Sequence, residues 1–350
     1  MNLSNPKRIR EEFHEFSGKI VAISGAGCIG LELAKRFLSY GSKLRVLDIA
    51  EPGLIQVRKA GGATVRGDVT NSEYAAKLVA GAQVVIHTAA IIKDHGDLDQ
   101  IRRVNVGGAQ TLAEAAVEAH AQTFVLFSSV LVYGFDYPSQ VPETGPLRGE
   151  SNALCQTMIE AEEAVLSVTR HSSTRVIILR PGDVYSAASV PWVLRPLQLR
   201  KALAGSRFVV PTRWGRFGVC NHVYVDNLVD AAVLVLKKQN SVATDREAFN
   251  VTDGAETTWG EYFKLLDVAT GGTGLIWAVP GLLLQAFFVF FGLVIRWMVD
   301  GKTEPPTKET IKFWTRPHTV STAKIKRLGF VPRVGLAEGM ERTRLDLKLT

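Results

Sequence analysis

An apolar run, Ile20 to Ile23, leads into Gly25-Ala26-Gly27-Cys28-Ile29-Gly30, and the residues from Cys28 to Tyr40 space their apolar positions as an amphipathic helix does. A second apolar run, Leu44 to Leu47, follows and ends in Asp48. Few folds admit a strand, a glycine turn, a helix and a second strand tipped by an acid. The pattern predicts the opening unit of a parallel α/β sheet whose first turn cradles a dinucleotide. Gly25, Gly27 and Gly30 let the backbone turn tightly, approach a pyrophosphate with no Cβ in the way, and pack the helix close to the strand. The N–H groups of Cys28 and Ile29 at the helix start are then free for phosphate. A carboxylate at Asp48 accepts hydrogen bonds from both ribose hydroxyls and repels a 2′-phosphate, which favours NAD over NADP. A glycine-rich surface turn beside an unrelated acid is the plainer alternative.

The chain has 350 residues, enough for one large or two closely joined domains with an ample core. Hydrophobic residues make up 46% and charged ones 21%, an ordinary globular balance that leaves no tract to read as disordered. A formal charge of +7 permits contact with anionic surfaces, but the basic residues are dispersed and not interleaved with aromatics. That distribution argues against a nucleic-acid partner. Cys28, Cys155 and Cys220 have neither metal-ligand nor disulfide-framework spacing, so no metal is expected and a reducing, cytoplasmic compartment fits. The first residues, MNLSNPKRIREEFHEF, are charged and do not read as a secretory signal.

Further strand candidates lie at Thr64 to Arg66, Val84 to Thr88, Thr123 to Ser128 and Arg175 to Leu179, with helical periodicity between them at Gly107 to Ala119 and Cys155 to Arg170. The fold class expected is α/β, a doubly wound parallel sheet with a smaller C-terminal substrate lobe. Residues 1–17 read as an extension, 18–184 as the dinucleotide-binding domain and 185–350 mainly as the lobe, interleaved with returning elements of the first domain. Ligands of such sheets lie beyond the carboxyl ends of the strands, where the lobe would close over the cofactor.

The stretch Leu275 to Ile295 is apolar apart from Pro280 and Gln285 and contains Phe287, Phe288, Phe290 and Phe291. Its length reaches the ~20 residues that cross a bilayer. A true span, an anchor lying on a membrane surface and a buried helix lining an apolar pocket all remain open, although Pro280 and Gly281 suit a helix start better than a helix interior.

In chain order, the glycine turn is followed by Gly67-Asp68-Val69, His87-Thr88-Ala89-Ala90, Asn105-Val106-Gly107, Ser128-Ser129 with Val132-Tyr133-Gly134, Leu179-Arg180-Pro181-Gly182-Asp183-Val184-Tyr185, His222-Val223-Tyr224-Val225-Asp226 and Phe249-Asn250-Val251-Thr252-Asp253-Gly254. Ser321-Thr322-Ala323-Lys324 and Leu328-Gly329-Phe330-Val331-Pro332 close the series. Over nearly its whole length the chain resembles the extended short-chain dehydrogenase/reductases, and among them the 3β-hydroxysteroid dehydrogenase/isomerase-like branch. The resemblance implies that Asp68 and Val69 contact the adenine, that Thr88, Ala89, Ala90 and Asn105 flank the cofactor, and that Pro181, Gly182 and Val184 lie near the nicotinamide. It also implies a small apolar substrate and, by analogy, a homodimer.

One part of that pattern is missing. In the family, a Tyr-x-x-x-Lys pair on one helical face handles the proton of the reacting oxygen, the lysine lowering the tyrosine pKa and holding the ribose. The register set by Ala161-Glu162 and Val165 puts Leu154 at the Tyr position and Met158 at the Lys position. No Tyr-x-x-x-Lys occurs anywhere in the chain, and no lysine lies between Lys93 and Lys201. A positioned acid or base contributes ~10²–10⁴ in rate, so the loss matters. Ser129, four residues before Tyr133, matches the family's catalytic serine; Tyr133 reads as a packing residue, Tyr137 as a loop residue, and His87 and Cys155 as structural.

Two function classes follow. The first is an NAD-dependent oxidoreductase acting on an apolar alcohol, ketone or activated alkene, the proton passing through Ser129, water or the substrate. The second keeps the dinucleotide fold without net hydride transfer, as a cyclase-, lyase- or isomerase-like enzyme or a binding protein. Losing both polar partners together, which leaves neither buried and unpaired, reads as a refitted pocket. Attachment to the surface of an intracellular membrane would suit a lipid-like substrate.

Overall fold

The computed structural model of the protein describes residues 13–93, 97–135, 137–149, 152–202, 207–212, 215–238, 246–283, 286, 308–315 and 319–348. Six strands arise where the apolar runs predict them: β1 Ile20–Ser24, β2 Lys43–Asp48, β3 Ala63–Arg66, β4 Val84–His87, β5 Thr123–Phe127 and β6 Arg175–Pro181. β4 and β5 stop one residue earlier than the sequence suggests, which leaves Thr88 and Ser128 just past their strand ends. Short strands follow at β7 Asp183–Tyr185, β8 Val209–Thr212, β9 Val219–Cys220 and β10 His222–Tyr224. The chain then returns to the main sheet with β11 Arg246–Val251 before β12 Thr257–Thr258 and β13 Trp277–Pro280.

The central sheet has seven strands in the order β11-β6-β5-β4-β1-β2-β3, all paired in parallel. Parallel strands are covered on both faces, so consecutive residues both need to be apolar. Val21 and Ile23 face one layer with Leu33, Phe37 and Val229, while Ala22 faces the other with Leu78, Leu112 and Val165. The order reverses between β1 and β4, and the crevice at that switch point opens beside the glycine turn.

Helix Ala153–Val168 lies on the second face and carries Leu154 and Met158. Asn152 caps it by accepting from the Cys155 N–H at 3.0 Å, which satisfies one of the donors a helix start leaves open. A five-residue π turn, Arg103–Gly107, joins helices Leu98–Arg102 and Gly108–Glu118 and brings Asn105 against the Ala153–Val168 helix.

Beyond β6 a lobe packs around its own aromatic core, with Trp259, Tyr262, Phe263 and Phe313 buried and Trp192 stacked on Trp259 at 4.8 Å between ring centroids. A single apolar helix from Leu275 to Ile295 does not form. Trp277–Pro280 is instead a strand paired in parallel with Val209–Thr212, and helical structure begins only at Gly281. Proline, lacking an N–H, ends the strand and suits a helix entrance. Residues 284, 285 and 287–295 lie outside the described residues, among which no helix is long and apolar enough to cross a membrane.

Candidate active site

The glycine turn is tied to the end of β4. Gly25 sits at φ +94°, and a Cβ there would come within 2.7 Å of both Ala89 N and Thr88 Oγ1. Thr88 Oγ1 donates to the carbonyls of Ser24 at 2.9 Å and Gly25 at 3.2 Å, which locks turn and strand together. A Cβ on Gly30 would run into the Gly25 carbonyl, so the helix can lie this close only with glycine there. Gly27 differs, because no described residue beyond its chain neighbours has an atom within 4 Å of where its Cβ would be. Directly after it, helix Cys28–Ser39 starts with no side-chain cap and no acid in its first turn. An open side at Gly27 and uncapped N–H groups at Cys28 and Ile29 fit the pyrophosphate of a dinucleotide.

Asp48 reaches back to the same turn. Its Oδ2 accepts from Ala26 N at 2.6 Å and its Oδ1 from Ala50 N at 2.7 Å. Each carboxylate oxygen has a second lone pair, so the group can still accept from ribose hydroxyls. Asp68 Oδ1 accepts from Thr70 N at 2.9 Å, and Val69 is buried against the face of Gly108. The elements that carry Gly25 to Gly30, Asp48, Asp68 and Val69 therefore meet at the carboxyl edge of β1 to β3.

A small cleft opens next to them, lined by His87, Ala89, Ala90, Asn105, Ser128 and Met158. Asn105 takes part indirectly: Oδ1 accepts from Ile91 N at 2.7 Å, and Nδ2 donates to Ile91 O at 3.2 Å and Thr157 Oγ1 at 3.1 Å. It holds the loop that carries Ala89 and Ala90 against the Ala153–Val168 helix. His87 is buried, with Nδ1 2.5 Å from Ser24 Oγ, and burial lowers its pKa to about 4, so the ring is neutral. Ser129 is half-buried and its Oγ accepts from Leu131 N at 3.2 Å. Leu154 and Met158 are buried in one apolar cluster with Val132, Tyr133, Tyr137 and Val320.

Gly182 packs against the Asn221 carbonyl, Pro181 ends β6 and Val184 lies on β7. The end of that segment returns to the cofactor turn, with Ser186 Oγ 2.9 Å from the Cys28 thiol. Burial, the largest influence, pushes the thiol up to about 11, so Cys28 is uncharged packing at the helix start. Among the described residues no cluster of three or more His, Cys, Asp or Glu side chains could hold a metal ion.

Two features are not identified by sequence reasoning. Glu162 and Arg180, both buried, form a two-pronged pair at 2.9 and 2.6 Å; Ser128 Oγ donates to Glu162 at 2.5 Å and Arg180 Nη1 to Tyr133 OH at 2.9 Å. The Tyr133 hydroxyl donates in turn to Asn250 Oδ1 at 2.8 Å, linking the helix to β6 and β11. The second is Asp183, buried at the start of β7, whose Oδ2 accepts from Asn221 N at 3.1 Å. Its only sequence signal is an acid three residues after Arg180, just past an apolar run.

Comparison with known proteins agrees with this geometry. The chain is 25% identical over 326 residues to the 4-hydroxy-2-methyl-3-oxo-4-farnesyl-3,4-dihydroquinoline-1-oxide ketoreductase of Stigmatella aurantiaca, covering 91% of this chain and 94% of that protein. It is 27% identical over 270 residues to a 3-beta-hydroxysteroid dehydrogenase of Mycolicibacterium neoaurum, covering 73% and 70%. The fold matches the UDP-glucose 4-epimerase of Thermus thermophilus in complex with NAD, with a TM-score of 0.72 and 20% identity over 94% of this chain and 99% of that one. Residues 21–252 match the family model, and the chain belongs to the NAD dependent epimerase/dehydratase family.

Proposed function

We propose that the protein is an NAD-dependent oxidoreductase whose substrate is an apolar alcohol, ketone or activated alkene, and whose site works without a Tyr-x-x-x-Lys pair. The observation that carries this reading is a contrast between neighbours. The cradle at Gly27, Cys28, Ile29 and Asp48 is complete, whereas Leu154 and Met158 beside it are buried among apolar side chains. NAD, when bound, supplies the hydride acceptor or donor. The chain's own residues bind its phosphates at the Cys28–Ser39 helix start, hold its ribose at Asp48, keep its nicotinamide end in a dry pocket, and offer Ser129 as a hydrogen-bond donor to the reacting oxygen. Asp68, Val69, Thr88, Ala89, Ala90, Pro181, Gly182 and Val184 form the walls.

An apolar substrate is supported by the names of relatives that act on a farnesyl quinoline and on steroids, and by the aromatic core of the lobe. A reading without net hydride transfer is favoured by the same Leu154 and Met158. The two are separated by following nicotinamide absorbance while the purified chain is offered alicyclic ketones with NADH and the matching alcohols with NAD. Turnover decides for the oxidoreductase. NAD binding with no turnover across the set decides for the second reading.

The protein also sits on a membrane surface in this proposal. Leu282 is 81% exposed, Leu283 63% and Trp277 48%, at the beginning of the apolar sequence that continues to Ile295. Apolar groups this exposed and this close together mark a contact with something apolar, and a tryptophan suits the interface of a bilayer.

A further inference from the structure

Among the described residues the carboxylates of Glu162, Asp183, Asp253 and Asp267 are buried, and Asp253 is bonded to His222 at 3.0 Å. Glu162 is paired with Arg180 and Asp267 with Arg200, each at 2.6 Å. Asp183 has no cation among the described residues. Its Oδ2 accepts from Asn221 N at 3.1 Å and faces the Cys220 thiol at 3.8 Å, while Oδ1 accepts from no described residue. A lone buried carboxylate is costly to keep charged, and such groups collect where a proton must be handled.

Its place in the fold gives that cost a use. Asp183 opens β7, which is laid on β10 with Asp183 opposite His222, and the same segment reaches the glycine turn through the Ser186–Cys28 contact. On the other side, Asp183 is among the groups that raise the pKa of Tyr137, after burial itself, and Tyr137 packs in one cluster with Leu154 and Met158. Asp183 thus lies three residues before the Ser186 contact to the cofactor turn, and acts on Tyr137, a cluster neighbour of Leu154, where the family's tyrosine would be.

We infer that Asp183 is the catalytic acid and base that replaces the absent pair, giving a proton to the reacting oxygen in reduction and taking it back in oxidation. This rests on the oxidoreductase reading above. In reduction, the carbonyl carbon gains a hydride with its electron pair from the reduced nicotinamide and the C=O π pair moves onto oxygen. That oxygen takes the Asp183 carboxyl proton, and solvent reprotonates the carboxylate. Burial raises the Asp183 pKa to about 7, so at neutral pH both forms are present, as a group working in both directions requires. The titratable groups near it are Tyr137, Cys220 on β9, Tyr262 on helix Trp259–Ala269 and, opposite on β10, His222; burial raises the first three, so none of those brings a charge at neutral pH, and His222 is bonded to the Asp253 carboxylate at 3.0 Å.

The test is Asp183→Asn, whose amide oxygen still accepts from Asn221 N–H. With NADH and alicyclic ketones, turnover is expected to fall at least ~10²-fold while NAD affinity by calorimetry stays the same. In the Leu154→Tyr/Met158→Lys background the same change is expected to leave turnover within ~3-fold, because the restored pair carries the proton. In the protein without cofactor, the melting temperature of Asp183→Asn minus that of the wild type is expected to grow as pH rises from about 4 to about 7, where the native carboxyl resists ionising. Unchanged turnover overturns the assignment. So does a loss of turnover matched by lost NAD binding, or one of equal size in the restored background, since either marks a structural role. A wild type that never oxidises NADH overturns the oxidoreductase reading, and this inference with it.

Discussion

Asp48 Oδ2 accepts a hydrogen bond from the backbone N–H of Ala26 at 2.6 Å, so the acid at the tip of β2 and the turn after β1 are held as one unit. The carboxylate fixes the turn before any ribose arrives, and its remaining lone pairs point to where two hydroxyls would donate. Asp48→Ala removes both functions. NAD affinity is expected to fall at least ~10-fold, the size of one to two hydrogen bonds to a charged group, and the preference over NADP is expected to vanish with it. Titration of wild type and variant with both nucleotides checks this; equal wild-type affinities would remove the ribose argument.

This unit was legible in the sequence because its parts are local or carry a strong pattern. Strands β1, β4, β5 and β6 are buried on both faces, so each reads as an apolar run, and the glycines mark the turn. The charges inside the sheet were not legible. Nothing in the spacing of Glu162 and Arg180 says that a helix and a strand will bring them to 2.6 Å, and Asp183 becomes a carboxylate without a cation only once β7 is laid on β10. Tyr137 reads as an ordinary loop residue until the fold packs it with Leu154. Partners chosen by tertiary contact leave no periodic trace.

Glu162 is expected to be structural, and strongly so. Glu162→Gln leaves the Arg180 guanidinium buried with its charge uncompensated, a loss of roughly 3–5 kcal/mol. Chemical denaturation gives the difference directly. A change under ~1 kcal/mol would mean that the pair is replaceable by solvent.

His87 predicts an acid-side loss of stability. Its folded pKa, lowered by burial to about 4, lies below the ordinary 6.5, so the unfolded chain binds the proton more readily. The contribution is complete above about 6.5 and is lost as pH falls toward 4; the full size is about 3 kcal/mol. Asp183 acts with the opposite sign over much the same range, so the wild-type curve alone is a poor readout. The stability of wild type minus His87→Asn should shrink as pH falls through that window. A constant difference would show that the imidazole does not titrate as its burial requires.

Membrane contact through the exposed apolar residues is tested by Leu282→Asp with Leu283→Asp. Both side chains are largely solvent-exposed, so the folded core should tolerate the change. Wild-type protein is expected to sediment with vesicles of phosphatidylcholine and phosphatidylglycerol, and the double variant to stay in the supernatant. If the wild type instead forms a dimer that the variant loses, and neither binds vesicles, a second copy of the chain covers this face.

Leu154→Tyr with Met158→Lys restores the missing pair on its own helix, and the consequences for rate and stability run in opposite directions. The new ammonium enters a cleft lined by His87, Asn105 and Ser128, where the carboxylate one turn along the helix, Glu162, is already paired with Arg180 at 2.6 Å, so the free protein should lose stability. With NAD bound, the same ammonium gains the ribose hydroxyls as partners and lowers the pKa of the new phenol. Turnover should therefore rise, by up to ~10²–10⁴ where proton transfer limits the wild type and by much less where Asp183 already carries it. Either single change should do worse than the pair, since Met158→Lys alone buries a charge with no phenol to tune, and Leu154→Tyr alone leaves a phenol whose pKa burial has raised. Additive single effects on turnover would show that positions 154 and 158 do not share one site, and would break the register on which the oxidoreductase reading depends.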